Sequence, residues 1–254
     1  MTVLALRLGG PLQSWGSNQR LDRHRRTQRF PTKSGVLGLC AAALGRKRSD
    51  PVDDLAAMRF GVRIDRPGEV MRDFHTLSSL FDEKGRFSPD RGRLPTASGS
   101  YRPVETSTQV TYRHYLVDAC FVAGIEGESE LLLRIDEALR RPVFPPFLGR
   151  RSCPPDAPLR LGLHDEMLFE VLSSLPWEGG TDAPQRGSAV QCEVVIEDPE
   201  GTREQVDEAH SFDPVVRSYG RRRVRHEYVE APNPKSGSRR EHEPHDPMAL
   251  LDGG

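Results

Sequence analysis

The chain has 254 residues, 36% hydrophobic and 29% charged, enough for one large globular domain or two small ones with a real core. No apolar run reaches the roughly 18 residues of a membrane span, and the N-terminal "TVLALRLGG" is too short and wrongly laid out for a signal peptide, so the expectation is a cytoplasmic protein with no membrane partner. The net charge of −1 hides an asymmetry, a balance of +8 over residues 1–160 and −9 over 161–254, which suggests a polyanion on one side of the molecule and a different partner on the other.

In chain order, residues 2–8 alternate loosely and predict a first strand. "GGPLQSWGSNQ" (9–19) is a Gly-rich loop in which Trp15 reads as exposed, and 20–30 is a basic stretch. Residues 29–45, "RFPTKSGVLGLCAAALG", predict a buried apolar helix with Thr32 and Ser34 as N-cap candidates and Gly45 as its stop. A short helix follows over 50–58, capped by Asp50 with Pro51 first, and then strands over 59–65 and 69–77. Residues 78–112 are polar and too long for a simple turn, either a disordered loop or an extended β-hairpin arm. One strong strand is expected over 113–126, an amphipathic helix over 129–142, and a Pro-bounded loop over 143–155. Beyond 156, one helix near 167–177 and strands over 188–198 and 221–231 suggest a small appended β element, and 232–254 reads as a disordered tail. This order suits a ferredoxin-like α+β sandwich with an insertion, divided as 1–155, 156–231 and the tail.

The four cysteines, Cys40, Cys120, Cys153 and Cys192, are widely spaced, and buried reduced thiols are favoured over disulfides or zinc. The tail's "HEPH" has ligand-like spacing but sits in a polar, Pro-rich segment, so neither metal nor cofactor is expected. "PTKSG" lacks the spacing of a phosphate-binding NTPase loop. His24, His75 and His114 are scattered, with His75 the best candidate for a general base.

Arginine supplies 32 of the 36 cations. Either a GC-rich genome or bidentate phosphate recognition accounts for that choice. The cations cluster at 20–29, 46–48, 91–102, 150–151 and 217–225, interleaved with Trp15, Tyr101 and Tyr219. Cations that track a backbone and rings on which bases stack are what a single-stranded nucleic acid requires, and a ferredoxin-like sheet would be an ordinary surface for it. The start of the 29–45 helix carries Arg29 and Lys33 and no acid, against the helix dipole. An RNA phosphate at the free helix N–H groups is the expected occupant.

The stretch 6–45, "LRLGGPLQSWGSNQRLDRHRRTQRFPTKSGVLGLCAAALG", resembles the N-terminal signature of the CasD-type CRISPR-associated proteins. "FLGRRSCPP" (147–155) resembles that family's second signature, and 211–229 its C-terminal strand region. The resemblance implies a modified RRM fold with a long β-hairpin thumb at about 78–112. It implies a non-catalytic subunit of a type I-E Cascade surveillance complex that caps the 5′ handle of crRNA. Such a subunit abuts the backbone and large subunits and meets target DNA indirectly. A metal-independent endoribonuclease acting on precursor crRNA, as in type I-C systems, is the alternative. The residues carried over as RNA-binding are Gln13, Ser14, Trp15, Gly16, Arg20, Arg29, Thr32, Lys33, Ser34 and Gly35 from the first motif. Arg150 and Arg151 come from the second, and Tyr101 and Arg102 from the thumb.

Overall fold

A computed structural model describes residues 2–16, 24–77, 100, 109–180, 187–213 and 215–234. It is a mixed α+β molecule dominated by two mostly antiparallel sheets. In chain order the elements are β1 (Thr2–Gly9), β2 (Leu12–Gln13), β3 (His24–Arg25), α1 (Lys33–Ala43), α2 (Asp53–Ala56), β4 (Arg59–Arg66) and β5 (Glu69–Leu77). They continue with β6 (Gln109–Val117), β7 (Cys120–Gly127), α3 (Ser129–Arg140), β8 (Arg160–His164), α4 (Leu168–Ser174), β9 (Ala189–Glu197), β10 (Arg203–Ser211) and β11 (Ser218–Pro232).

The larger sheet has the order β10-β11-β9-β4-β7-β1-β8. Alternation along its strands sends two apolar sets to opposite faces. Leu4, Leu6, Phe60, Phe121 and Ile125 join residues of α1 and α3 in one core, which also takes in Trp15, Tyr115 and Leu148. Val3, Ala5, Val122, Val194 and Ile196 meet Leu168, Val171 and Leu172 of α4 in a second. The α4 helix sits close because Gly61 and Gly124 lie beneath it, where a Cβ would come within 2.8 Å of Leu172 and 2.5 Å of Leu168. Its C-terminal carbonyls at Leu172 and Leu175 accept from the fully buried Arg63, whose guanidinium also pairs with Asp65 at 2.7 Å.

Four expectations need correction here. Residues 156–231 are not an appended element: β8 pairs with β1 and β9 pairs with β4, so this stretch completes the main sheet. The sheet face offered to RNA is covered by α4 and Trp177. The strand expected over 113–126 is two strands in different sheets. Asp118, at φ 54, turns the chain between them, and its N–H donates to Pro11. The 50–58 helix begins later, at Asp53, because the Asp50 carboxylate accepts from the Lys47 N–H in the preceding turn. Strands β8 and β10 were not foreseen.

The second sheet forms the base of an arm. Strand β6 pairs along its length with β5, from Glu69↔Val117 to Leu77↔Gln109, and on its other side with β2 and, in parallel, β3. Of the region at 78–112, residues 109–112 are strand. The rest, with Arg20, Tyr101, Arg102 and 235–254 of the expected tail, lies outside the described residues apart from Ser100. The four cysteines are free and buried, and burial pushes the thiols of Cys40 and Cys120 up to about 12. Among the described residues no helix is long and apolar enough to cross a membrane, and no group of His, Cys, Asp and Glu could hold a metal ion.

Candidate nucleic-acid interface

The first motif folds as scaffold. Gln13 is fully buried; its amide donates to the carbonyls of Leu8 and Ala119 at 2.9 and 2.8 Å and accepts from the Trp15 indole at 2.9 Å. Trp15 is core, not surface, and it packs where a Cβ on Gly35 would lie only 2.8 Å from its ring. Ser14 is also buried, its hydroxyl donating to the His114 carbonyl. Gly16 is exposed.

The start of α1 carries no site for an external anion. Thr32 caps it by accepting from the Gly35 N–H at 3.2 Å, as its position suggested. The Lys33 N–H donates to the Asp207 carboxylate at 2.8 Å, and the Lys33 ammonium, 1% exposed, pairs with Glu197 at 3.0 Å. Arg222 completes the cluster by donating to both oxygens of Asp207 at 2.7 and 2.9 Å. The anion that Lys33 faces is therefore a pair of carboxylates from β9 and β10, which satisfy the dipole that an RNA phosphate was expected to satisfy. Ser34 is buried in the same turn, whereas Arg29 is exposed just ahead of it.

The second motif clasps the first. The Ser14 N–H donates to the Leu148 carbonyl, and Gly149, at φ +84, lies so close that a Cβ would be 1.9 Å from the Ser14 oxygen. Only glycine combines that backbone with that approach. This tight loop delivers Arg150 to the arm. Its guanidinium lies 4.8 Å from the Tyr115 ring centroid and donates to the Arg25 carbonyl at 3.0 Å. Arg151 is exposed beside it.

Around Arg150 the unpaired cations collect. The register sets Arg25 opposite Arg113, and the Nε of Arg113 and the Nη1 of Arg150 are buried with no hydrogen-bond partner among the described residues. Thr111 Oγ1, on the same face of β6, is orphaned in the same way, and so is His114 Nδ1 on the opposite face. Buried polar groups are nearly always satisfied, so the orphans of Thr111, Arg113 and Arg150 on one face of the arm single it out as the candidate site, whereas the orphaned Arg222 Nη1 lies 4.0 Å from the Glu197 carboxylate. Elsewhere arginines find acids: Arg46 with Asp54, Arg160 with Asp136, Arg221 with Glu204 and Arg225 with Asp198. On the arm's other face His24 stacks on Tyr112 at 4.8 Å, with Arg72 and Phe74 alongside.

The family description CRISPR-associated protein (Cas_Cas5) matches residues 3–225. This chain belongs to the Cas5 family. It is 34% identical over 176 residues, 63% of its length and 70% of the relative's, to the CRISPR system Cascade subunit CasD of Escherichia coli (strain K12). It is similar to a chain of a CRISPR RNA-guided surveillance complex, with TM-score 0.75, 33% identity and coverage of 91% of each chain. It also resembles a crystal structure of a Cas protein, with TM-score 0.67, 35% identity and coverage of 92% and 99%.

In this Cas5 chain the two signatures form one unit, and Arg150 is the signature residue that the fold aims at the arm. The sequence reading held Arg25 only within the 20–29 cluster and missed Arg72, Phe74, Tyr112 and Arg113. The alternation in "TYRHYL" (111–116) was the available signal, because it separates Tyr112 and His114 from Arg113 and Tyr115.

Proposed function

We propose that this chain is the RNA-binding subunit of a Cascade-type CRISPR surveillance complex. It works in the cytoplasm as a non-catalytic cap on the 5′ handle of crRNA, beside the backbone and large subunits, and meets target DNA only indirectly. The observation that carries the reading is the cluster of Arg25, Arg113 and Arg150 around Tyr115 at the arm base, where buried guanidinium nitrogens lack partners. Its similarity to a Cascade subunit and to a chain of an RNA-guided surveillance complex supports the assembly. Guanidinium groups suit phosphates because their forked donors match two oxygens at once.

We read the β1-α1-β4-β7-α3-β8 core as ferredoxin-like. The support is its antiparallel strand order β8-β1-β7-β4, with β5 and β6 inserted as the root of the thumb. The non-catalytic role rests on the similarity to a Cascade subunit; on the arm, strand alternation sets His75, paired with Asp73 at 2.5 Å, on the Arg113 face and His114 on the other.

The test incubates the full chain with labelled repeat RNA in EDTA, followed by a denaturing gel and a binding titration. Intact RNA with tight binding to the processed handle is expected. A discrete cut at the base of the repeat hairpin overturns the non-catalytic reading.

A further inference from the structure

Strand alternation sorts the arm base into two faces of different chemistry. On one, the register sets Phe74 opposite Tyr112 and Arg72 opposite His114, and β3 brings His24 beside Tyr112. The Tyr112 ring is stacked by His24 at 4.8 Å with an interplanar angle of 13°, and the Arg72 guanidinium lies 5.3 Å from its centroid. Phe74 meets it edge-on at 5.7 Å. Tyr112 is therefore held from several directions, while Phe74 keeps 57% of its surface exposed, with Val70 exposed beside it. Arg113, Thr111 and Tyr115 point to the other face, where Arg150 lies over Tyr115 and the polar orphans of Thr111, Arg113 and Arg150 gather; Asp73, opposite Arg113, is paired there with His75.

We infer that the arm divides recognition of single-stranded RNA between these faces: Phe74, braced by Tyr112, stacks an unpaired base, and Arg113 with Arg150 holds phosphate on the opposite side. The inference rests on the RNA-binding reading above. Among the described residues β5 pairs only with β6, so an RNA strand crossing the β5 edge reaches both faces. A nucleobase is favoured over a protein side chain because the exposed ring lies among Arg72 and His24, and the alternating positions from Val70 to Thr76 on this face include no carboxylate. A base offers a π face that accepts both an aromatic ring and a neighbouring cation.

The test uses the full chain and two fluorescent probes, a uridine dodecamer and a ribose-phosphate dodecamer of the same length without bases. The wild-type chain is expected to bind the uridine probe roughly tenfold or more tightly. Phe74→Ala brings the two affinities within about twofold and leaves the salt dependence unchanged, whereas Phe74→Trp keeps the preference. Arg113→Ala and Arg150→Ala each keep the preference and lower the salt slope by about 0.7. Equal wild-type binding of both probes, or a Phe74→Ala chain that keeps the full preference, overturns the division while the RNA-binding reading stands. A Phe74→Ala chain that keeps the preference but no longer assembles with the other subunits makes this face a protein-docking surface and likewise overturns it. No binding of either probe by the wild-type chain overturns the RNA-binding reading itself, and the inference falls with it.

Discussion

The N-terminus of α1 and the base of the arm both gather cations, and their surroundings are opposite. At α1, Lys33 and Arg222 are buried against Glu197 and Asp207, and Arg221 and Arg225 nearby on β11 pair with Glu204 and Asp198. At the arm, Arg25, Arg113 and Arg150 collect around Tyr115, and Asp73, the carboxylate set opposite Arg113, pairs with His75 instead. The first set is consumed by the fold and the second is left for something outside it. A run of arginines therefore says little about binding until its acids are located. The acids that answer Lys33 lie 164 and 174 residues away in the chain.

The largest effects are expected at the buried cluster beneath α1. Arg222→Ala strands Asp207 beneath α1 and should cost roughly 3–5 kcal/mol in urea unfolding, with RNA affinity per folded molecule unchanged. A loss of affinity without loss of stability would move Arg222 to the binding side. Trp15→Ala tests whether the first motif is scaffold: it should cost about 3–5 kcal/mol by emptying a core site and freeing the Gln13 amide oxygen. The buried thiols sharpen the contrast through pH. Burial pushes the Cys40 and Cys120 thiols up to about 12 and Cys192 to about 11 in the folded chain, against an ordinary 9.0, so below about pH 9 the thiol is protonated in both states. Above it the unfolded chain loses the proton first, and stability falls as pH rises from about 9 to 12. Thermal melts across that range should show the decline, and Cys40→Ala should make it shallower by the share of one thiol. At the arm, Arg113→Ala should change stability little and lower the salt slope of RNA binding by about 0.7. The smallest effect belongs to the half-exposed Arg46–Asp54 pair, where Asp54→Asn should cost less than about 1 kcal/mol in the same urea assay.

Much of the fold is visible in the residues themselves. The apolar run of α1, the alternation of β4 and β5 and the amphipathic α3 all have local periods, and Thr32 occupies its cap as its type suggests. What stayed hidden depends on distant partners. The break between β6 and β7 rests on Asp118 in a left-handed conformation, with no glycine or proline to announce it. The incorporation of β8 and β9 into the main sheet depends on pairing with β1 and β4, which no local pattern encodes. For the site, the family signatures led to Arg150, but also to Gln13, Trp15 and Lys33, whose side chains are spent inside the molecule. A polar residue in a motif looks the same from the sequence whether it faces a ligand or a carbonyl. Conversely, Arg113 and Tyr112 escaped notice because only the pairing of β6 with β3 and β5 reveals their neighbours.

Whether phosphate binds at the arm or at α1 is decided by the salt dependence of binding to labelled single-stranded repeat RNA, compared between Lys33→Met and the double variant Arg113→Ala/Arg150→Ala, each corrected for its folded fraction. The account predicts an unchanged slope for Lys33→Met and a slope lower by about 1.4 for the arm variant, two single-strand phosphate contacts. A reduced slope for Lys33→Met with the arm variant unaffected would contradict it and return the phosphate to the start of α1.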